Sequence, residues 1–281
     1  MKKRRALFPP IYLTLVLLLM YLPILMVVLY SFNDSKSSGM WVGFTTDWYA
    51  KLFRDQSMGQ ALLNSLELAA WSVGLAGVIG TLGAVGMARK RFRGQGAVEM
   101  LSTLPMMVPE VILGMAYLAV FSAVFSFISS VFDYRPGFGM LTLVVAHTTF
   151  CVPYVFINVK GRLAGTDPAL EEAARDLGAA PLRVFFTVTL PAIAPAVISG
   201  MLLSLAMSLD DVVISFFVTG PTTTTLPLKI YSSLKTGVTP EINALCTLML
   251  GVVFILVALS QLTRTRRSKP VPGESPRRTD V

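Results

Sequence analysis

Charge is scarce in this chain. Of its 281 residues, 14% are Asp, Glu, Lys or Arg and 54% are hydrophobic, whereas a soluble domain carries about a quarter charged residues. Polar surface so limited cannot cover a water-exposed globule, which makes the bilayer the expected solvent. Histidine occurs once and cysteine twice, leaving neither a His/Cys/carboxylate metal cluster nor a convincing catalytic triad. No catalytic or metal-ligating residue is therefore assigned. His147, Cys151 and Cys246 all lie in apolar runs. The thiols read there as small buried hydrophobes, and the imidazole as a satisfied interhelical polar group. A Gly-x-x-x-x-Gly-Lys-Ser/Thr phosphate loop is also missing, so ATP is not expected to bind this chain in that way. The net charge of +8 is spread between apolar runs rather than gathered into a basic patch, which argues against nucleic-acid binding.

What the sequence does have is long apolar runs. A helix needs about 20 residues to cross the ~30 Å hydrocarbon core. Runs of that order fall at about 7–30, 61–88, 97–130, 140–159, 192–218 and 241–262. The expected fold class is all-α, a polytopic membrane protein with six transmembrane helices. The first run follows Lys2, Lys3, Arg4 and Arg5 but is long for a signal-peptide core and lacks a closing small-residue cleavage site, so it reads as a retained helix. The third is too long for one straight crossing, and Pro105 and Pro109 predict a kink or break near its start. Six spans put both termini on one side. Of the 24 Lys and Arg residues, 18 fall on that side and 6 on the other, which predicts cytoplasmic termini. The basic tail 263–281 is expected to lack structure.

Between spans four and five lies a polar stretch, 160–191. Asp167 can cap a helix that Pro168 opens, with Glu171 and Glu172 favouring its first turn. Gly178 can end it in a left-handed cap. Pro181 can start a second short helix, and Pro191 is expected to stop the pattern before the next span. Leu177, Val184, Phe185 and Phe186 would form an exposed side more apolar than a solvated loop needs, and such a patch wants a partner.

The segment Glu172-Ala173-Ala174, Gly178, Val188 and Leu190-Pro191 resembles the signature loop of permease subunits of binding-protein-dependent ABC importers, with Val in place of Ile as the sole departure. The resemblance implies the type I ABC importer permease fold and an inner-membrane location. It also implies that Glu172, Ala173, Ala174, Gly178, Leu190 and Pro191 form coupling helices docking on a cytoplasmic ATPase. The implied partners are a homologous second permease, two ATPase copies that carry ATP and Mg, and a periplasmic receptor.

An ionisable residue inside a span is a functional candidate by default. Glu67 lies near the outer end of span two, Glu110 near the middle of span three, and Asp210 and Asp211 in span five. No deep Lys or Arg stands by to pair them, which favours a cationic substrate or basic partners on another subunit. Gly200, Ser204, Ser208 and Asp211 fall on one helix face. Asp211 is thus expected to face a pore and Asp210 a neighbouring helix or the mouth, unless these carboxylates bond to backbone or hydroxyl groups instead. Leu209-Asp210-Asp211, Ser215 to Pro221, Thr225-Leu226-Pro227, Tyr30 to Asn33, Trp48-Tyr49, Pro109-Glu110-Val111 and Gly237 to Ala244 are similar to the permeases of spermidine and putrescine importers. The resemblance implies a polyamine substrate moved by alternating access. Trp48 and Tyr49 could then offer cation–π contact, although a Trp there can equally anchor the chain at the membrane interface. Ferric iron, thiamine or an opine-type amino acid is the alternative cargo. A proton-coupled transporter is the alternative class, but no internal repeat supports it.

Overall fold

The structure is a computed structural model that describes residues 8–35, 40–89, 92–235, 237, 239–251 and 254. The chain divides into two compact units, one formed by residues 1–55 with 234–281 and the other by Gln56–Ser233.

The first unit begins with helix α1, Phe8–Tyr30. The run is apolar all round, and over Pro10–Tyr30 none of it is buried within the chain, the pattern of a helix solvated by lipid or by another membrane subunit. A tight corner follows. Asn33 is fully buried, its amide donating to the Met40 carbonyl at 2.7 Å and its carbonyl accepting from the Val42 N–H at 2.8 Å. Phe32 stacks on Phe44 with ring centroids 5.4 Å apart. Helix α2, Asp47–Arg54, closes the corner from the other side. The 241–262 run is helical over 240–251, and its remainder, like the tail 263–281, lies largely or wholly outside the described residues.

The second unit holds the core. Its helices are α3 (Gln56–Arg89), α4 (Gln95–Met107), α5 (Glu110–Phe132), α6 (Met140–Ala164), α7 (Ala169–Asp176), α8 (Pro181–Val184), α9 (Leu190–Asp210), α10 (Val213–Val218) and α11 (Leu226–Leu234). A five-residue π-helix, Phe185–Thr189, joins α8 to α9. Among the described residues, five helices are long and apolar enough to cross a membrane: Pro10–Tyr30, Gln56–Arg89, Glu110–Phe132, Met140–Ala164 and Pro181–Asp210.

Two of the expected spans are revised by the structure. The third is two helices, separated at Val108 and Pro109, which take extended backbone. Pro109 thus marks the break, while Pro105 is accommodated inside α4. The fifth does not begin after a stop at Pro191: the helix runs through from Pro181. Pro191 sits where a π-turn passes into α9, so its missing N–H falls at a widened turn and the helix continues past it. The widened π-turn before it lets the Leu190 N–H reach the Phe185 carbonyl, five residues back. At its other end this span breaks after Asp210 rather than continuing to residue 218.

Helices α3, α6 and α9 form the centre of the unit, around Phe156, Val155 and Ile193, each at most 2% exposed. Small residues let the backbones approach, as packing without a hydrophobic driving force requires. A Cβ at Gly200 of α9 would stand 2.8 Å from the Cα of Val155 and 3.2 Å from the carbonyl oxygen of Tyr154. Those atoms are backbone and cannot swing aside. Gly200→Ala is therefore expected to cost about 1–3 kcal/mol by overpacking. It should lower the thermal midpoint of the purified protein in detergent. Gly74→Ala, with nothing within 4 Å of the new methyl, should leave the midpoint in place.

Candidate functional site: a capped helix break and an exposed helical hairpin

At the end of α9 the chain leaves the helix for two residues before α10 begins. That break is built around Asp211. One carboxylate oxygen accepts the Ile214 N–H at 3.0 Å and the other accepts the Ser215 N–H at 2.8 Å, so the side chain satisfies free donors of the new helix. His147 of α6 reaches the same point, its Nε2 lying 3.3 Å from Asp211 Oδ2 and 3.1 Å from Ser215 Oγ. The other ring nitrogen, Nδ1, lies 3.0 Å from Ser208 Oγ, which in turn stands 3.5 Å from Ser72 Oγ of α3. One turn earlier, Ser204 donates to the Cys151 carbonyl at 3.1 Å. Every side chain in this network is buried.

The expected orientation of the polar stripe is thereby corrected. Gly200, Ser204 and Ser208 do share a face of α9, but that face packs inward on α3 and α6, and Asp211 lies just beyond the helix in extended backbone. Asp211, 7% exposed, caps a helix and binds a histidine. Inside a membrane protein such groups find each other, because an unpartnered polar group there costs several kcal/mol.

Of the four candidate span carboxylates, Asp210, the last residue of α9, Glu110, the first of α5, and Glu67 within α3 are exposed, and the first two stand at helix ends. Glu110 is not mid-helix as expected but opens a helix at the Pro109 break, where its charge favours the helix dipole. The breaks in spans three and five sit side by side. Glu110 lies within coulombic range of both Asp210 and Asp211, and α10 packs on α5, with Phe217 filling the space over Gly114. Among the described residues, neither Glu110 nor Asp210 pairs with a Lys or Arg. Two acidic groups at interrupted helices, accessible and unneutralised, can attract a cation.

Trp48 and Tyr49 belong to the other unit and are engaged in its corner. The Trp48 indole donates to the Asn33 carbonyl at 2.8 Å, and Lys51 Nζ covers its ring at 4.3 Å. The Tyr49 hydroxyl lies 2.8 Å from Ser31 Oγ, and its ring packs on Phe32. The cation over Trp48 is thus the chain's own lysine, which revises the expectation that this face is free for substrate.

The second feature is the hairpin of α7 and α8. The Asp167 carboxylate accepts the Ala169 N–H at 2.9 Å, as its place before Pro168 predicts. Gly178, at φ +82°, ends α7. The Ala179 N–H bonds the Ala174 carbonyl and the Gly178 N–H bonds that of Arg175, the two bonds of a Schellman cap. Glu172 and Ala173 are exposed, Ala174 and Leu190 half-buried, and Pro191 exposed. The outward apolar residues are Leu170, Leu177, Leu182 and Phe186. Leu177 is 90% exposed. Val184, expected on that surface, is fully buried, and Phe185 packs inward on the α3–α6–α9 core; the π-turn rotates both residues toward it.

Sequence reading missed the anchor of this hairpin. Arg89, the last residue of α3, donates to Glu171 and to Thr189, and the Thr189 hydroxyl donates to Glu171 at 2.6 Å. An 82-residue separation in sequence hides that pairing. The buried serine network could have been suspected from small polar residues recurring in apolar runs.

Residues 76–264 match the family described as binding-protein-dependent transport system inner membrane component. The chain belongs to this family. The match spans the hairpin and both helix breaks. The chain is 45% identical over 251 residues to the putrescine transport system permease protein PotI of Escherichia coli K12, covering 89% of this chain and 88% of that one. It is 39% identical to the spermidine/putrescine transport system permease protein PotC of the same strain, with 94% and 96% covered. A solved bacterial alginate ABC transporter, in complex with an alginate pentasaccharide-bound periplasmic protein, has a chain that superposes with a TM-score of 0.70 at 20% identity over 94% of this chain and 96% of that chain. The MetNI methionine ABC transporter gives 0.56 at 17% identity, over 81% and 100%. The fold is that of ABC importer permeases.

The buried and exposed aspartates should separate experimentally. Asp211→Ala removes a helix cap and strands His147, and is expected to cost about 1–3 kcal/mol. Asp210→Asn touches no such network and should stay within about 0.5 kcal/mol of the parent. Thermal unfolding in detergent, with the amount of protein reaching the membrane as a second readout, distinguishes the two.

Proposed function

We propose that this permease subunit moves a polyamine, putrescine or spermidine, from periplasm to cytoplasm in an ATP-driven importer working by alternating access. The observation that carries the reading is the pair of exposed carboxylates, Glu110 and Asp210, at adjoining helix breaks in a chain 45% identical to a putrescine permease. A polyamine is a flexible hydrocarbon chain bearing two or more ammonium groups. Carboxylates neutralise those groups, and helix breaks supply a polar environment at membrane depth, where irregular backbone is tolerated only beside protein or a water-filled cavity. Binding there must be transient, since a deep well would block release.

In this reading Glu110 and Asp210 meet the cargo. Asp211 and Ser208 position the break, and Trp48 and Tyr49 build the corner of the other unit. The positive-inside pattern places both termini and the α7–α8 hairpin in the cytoplasm. The exposed apolar residues of the hairpin then dock on an ATPase that binds ATP and Mg, while this chain performs no hydrolysis. A homologous second permease completes the pore, two ATPase copies drive it, and a periplasmic receptor delivers the substrate. The domain reading is a transmembrane domain over 1–262 followed by a cytoplasmic basic tail.

Reconstituted importer in vesicles, offered putrescine, spermidine and ferric iron through their receptors, tests the assignment. Polyamine uptake is expected. Replacing Glu110 by Gln together with Asp210 by Asn should lower it by about tenfold or more, the worth of one lost charge-assisted contact. Uptake of iron alone would sink the polyamine reading.

A further inference from the structure

Helix α7 has a weak hold on the rest of the chain. It has eight residues and buries none of them, and a helix of that length is marginal by itself in water. Its packing partners are chiefly α8 and the π-turn, both part of the same loop. One direct tie leads elsewhere. Glu171, in the first turn of α7, accepts from Arg89 and from the hydroxyl of Thr189, and Arg89 also donates to that hydroxyl; Thr189 is 2% exposed and is the last residue before α9. The ion-paired side chains are 25% and 18% exposed, sheltered enough to escape much of the screening that makes a surface pair worthless. The triad thus joins three elements at one point: the hairpin, the foot of α9 and the end of α3.

The geometry on either side gives that point mechanical meaning. Behind Thr189, α9 is continuous to the break at Asp210. Behind Arg89, α3 runs as a single helix back to Gln56, with Ser72 on its way meeting Ser208 beside the same break. Covalent linkage through α8 and the π-turn already connects the hairpin to α9. The direct tie of α7 itself to α3 is the ion pair.

We infer that Arg89, Glu171 and Thr189 form a clamp that transmits movement of the α7–α8 hairpin into α3 as well as α9. Arg89 and Glu171 are positioning residues: they touch neither substrate nor nucleotide and act by fixing α7 against two long helices at once. Without the clamp, a partner pushing on the hairpin tilts α7 alone, and hydrolysis proceeds with less transport. This rests on the importer reading above.

The test uses the complete importer in proteoliposomes, with Glu171→Gln, Arg89→Gln and the reversed pair Arg89→Glu with Glu171→Arg. Uptake and ATP hydrolysis are measured together, alongside complex assembly and hydrogen exchange of the α7 amides. Each single variant is expected to assemble, to expose α7 to faster exchange and to lower uptake per ATP by about fivefold or more, the lower end of ordinary coupling energies. The reversed pair should recover protection and much of the ratio. An unchanged ratio in the single variants would overturn the clamp, and so would a reversed pair no better than either single change. Loss of assembly in the singles that the reversed pair does not repair would overturn it too. If the unaltered importer takes up no polyamine, the functional reading fails, and the exchange of α7 still decides whether the clamp exists.

Discussion

In hydrocarbon, a backbone N–H without a partner costs several kcal/mol, and a transmembrane helix can be interrupted only where the freed donors are satisfied. Asp211 meets that condition for this chain. Its two oxygens take two N–H groups of α10, and the charge so placed is held by His147, which is itself held by serines of α9 and α10. Around this point α3, α6, α9 and α10 are fastened together. The interruption can then exist without water, Asp210 is turned outward at its edge, and the Pro109 break in the neighbouring span brings Glu110 to the same neighbourhood. An exposed charge is thus supported by a buried one, and the two neighbouring aspartates have opposite surroundings.

The α7–α8 hairpin obeys a different economy. Its first helix, α7, is held by caps and an ion pair instead of by burial, and the leucines of the hairpin and Phe186 stay exposed. Large exposed apolar side chains on so short an element are tolerable only if something covers them. The π-turn that follows joins this element to α9 without a stop. A rigid connection and a lightly anchored hairpin suit a part that must move with a partner and pull a helix along.

Much of this was legible in the sequence. Apolar runs pointed to the five long apolar helices found among the described residues because the length of a crossing helix is fixed by bilayer thickness, and Asp167 and Gly178 announced the ends of α7 because capping chemistry is local. The signature from Glu172 to Pro191 pointed to the family. The sequence was less informative wherever a residue's role depends on what lies across from it. A polar stripe on α9 reads the same whether it lines a pore or packs on another helix. Asp211 looked like the pore-facing group because helical periodicity was extended through a break that nothing local demanded. Pro191 looked like a stop because a π-turn has no signature in composition. The Arg89–Glu171 pair is a tertiary fact that spacing alone does not encode, whereas Lys51 covers Trp48 as an i,i+3 neighbour on α2.

The central claim is that Glu110 and Asp210 border one polyamine path. The most direct measurement is thiol accessibility in the assembled importer, with Glu110→Cys and Asp210→Cys each placed in a background where Cys151 and Cys246 are serine. Both thiols should react with a cationic, water-soluble methanethiosulfonate reagent, and receptor-delivered putrescine or spermidine should slow that reaction. Thiols that stay unreactive, or that react equally fast with and without polyamine, would contradict the account.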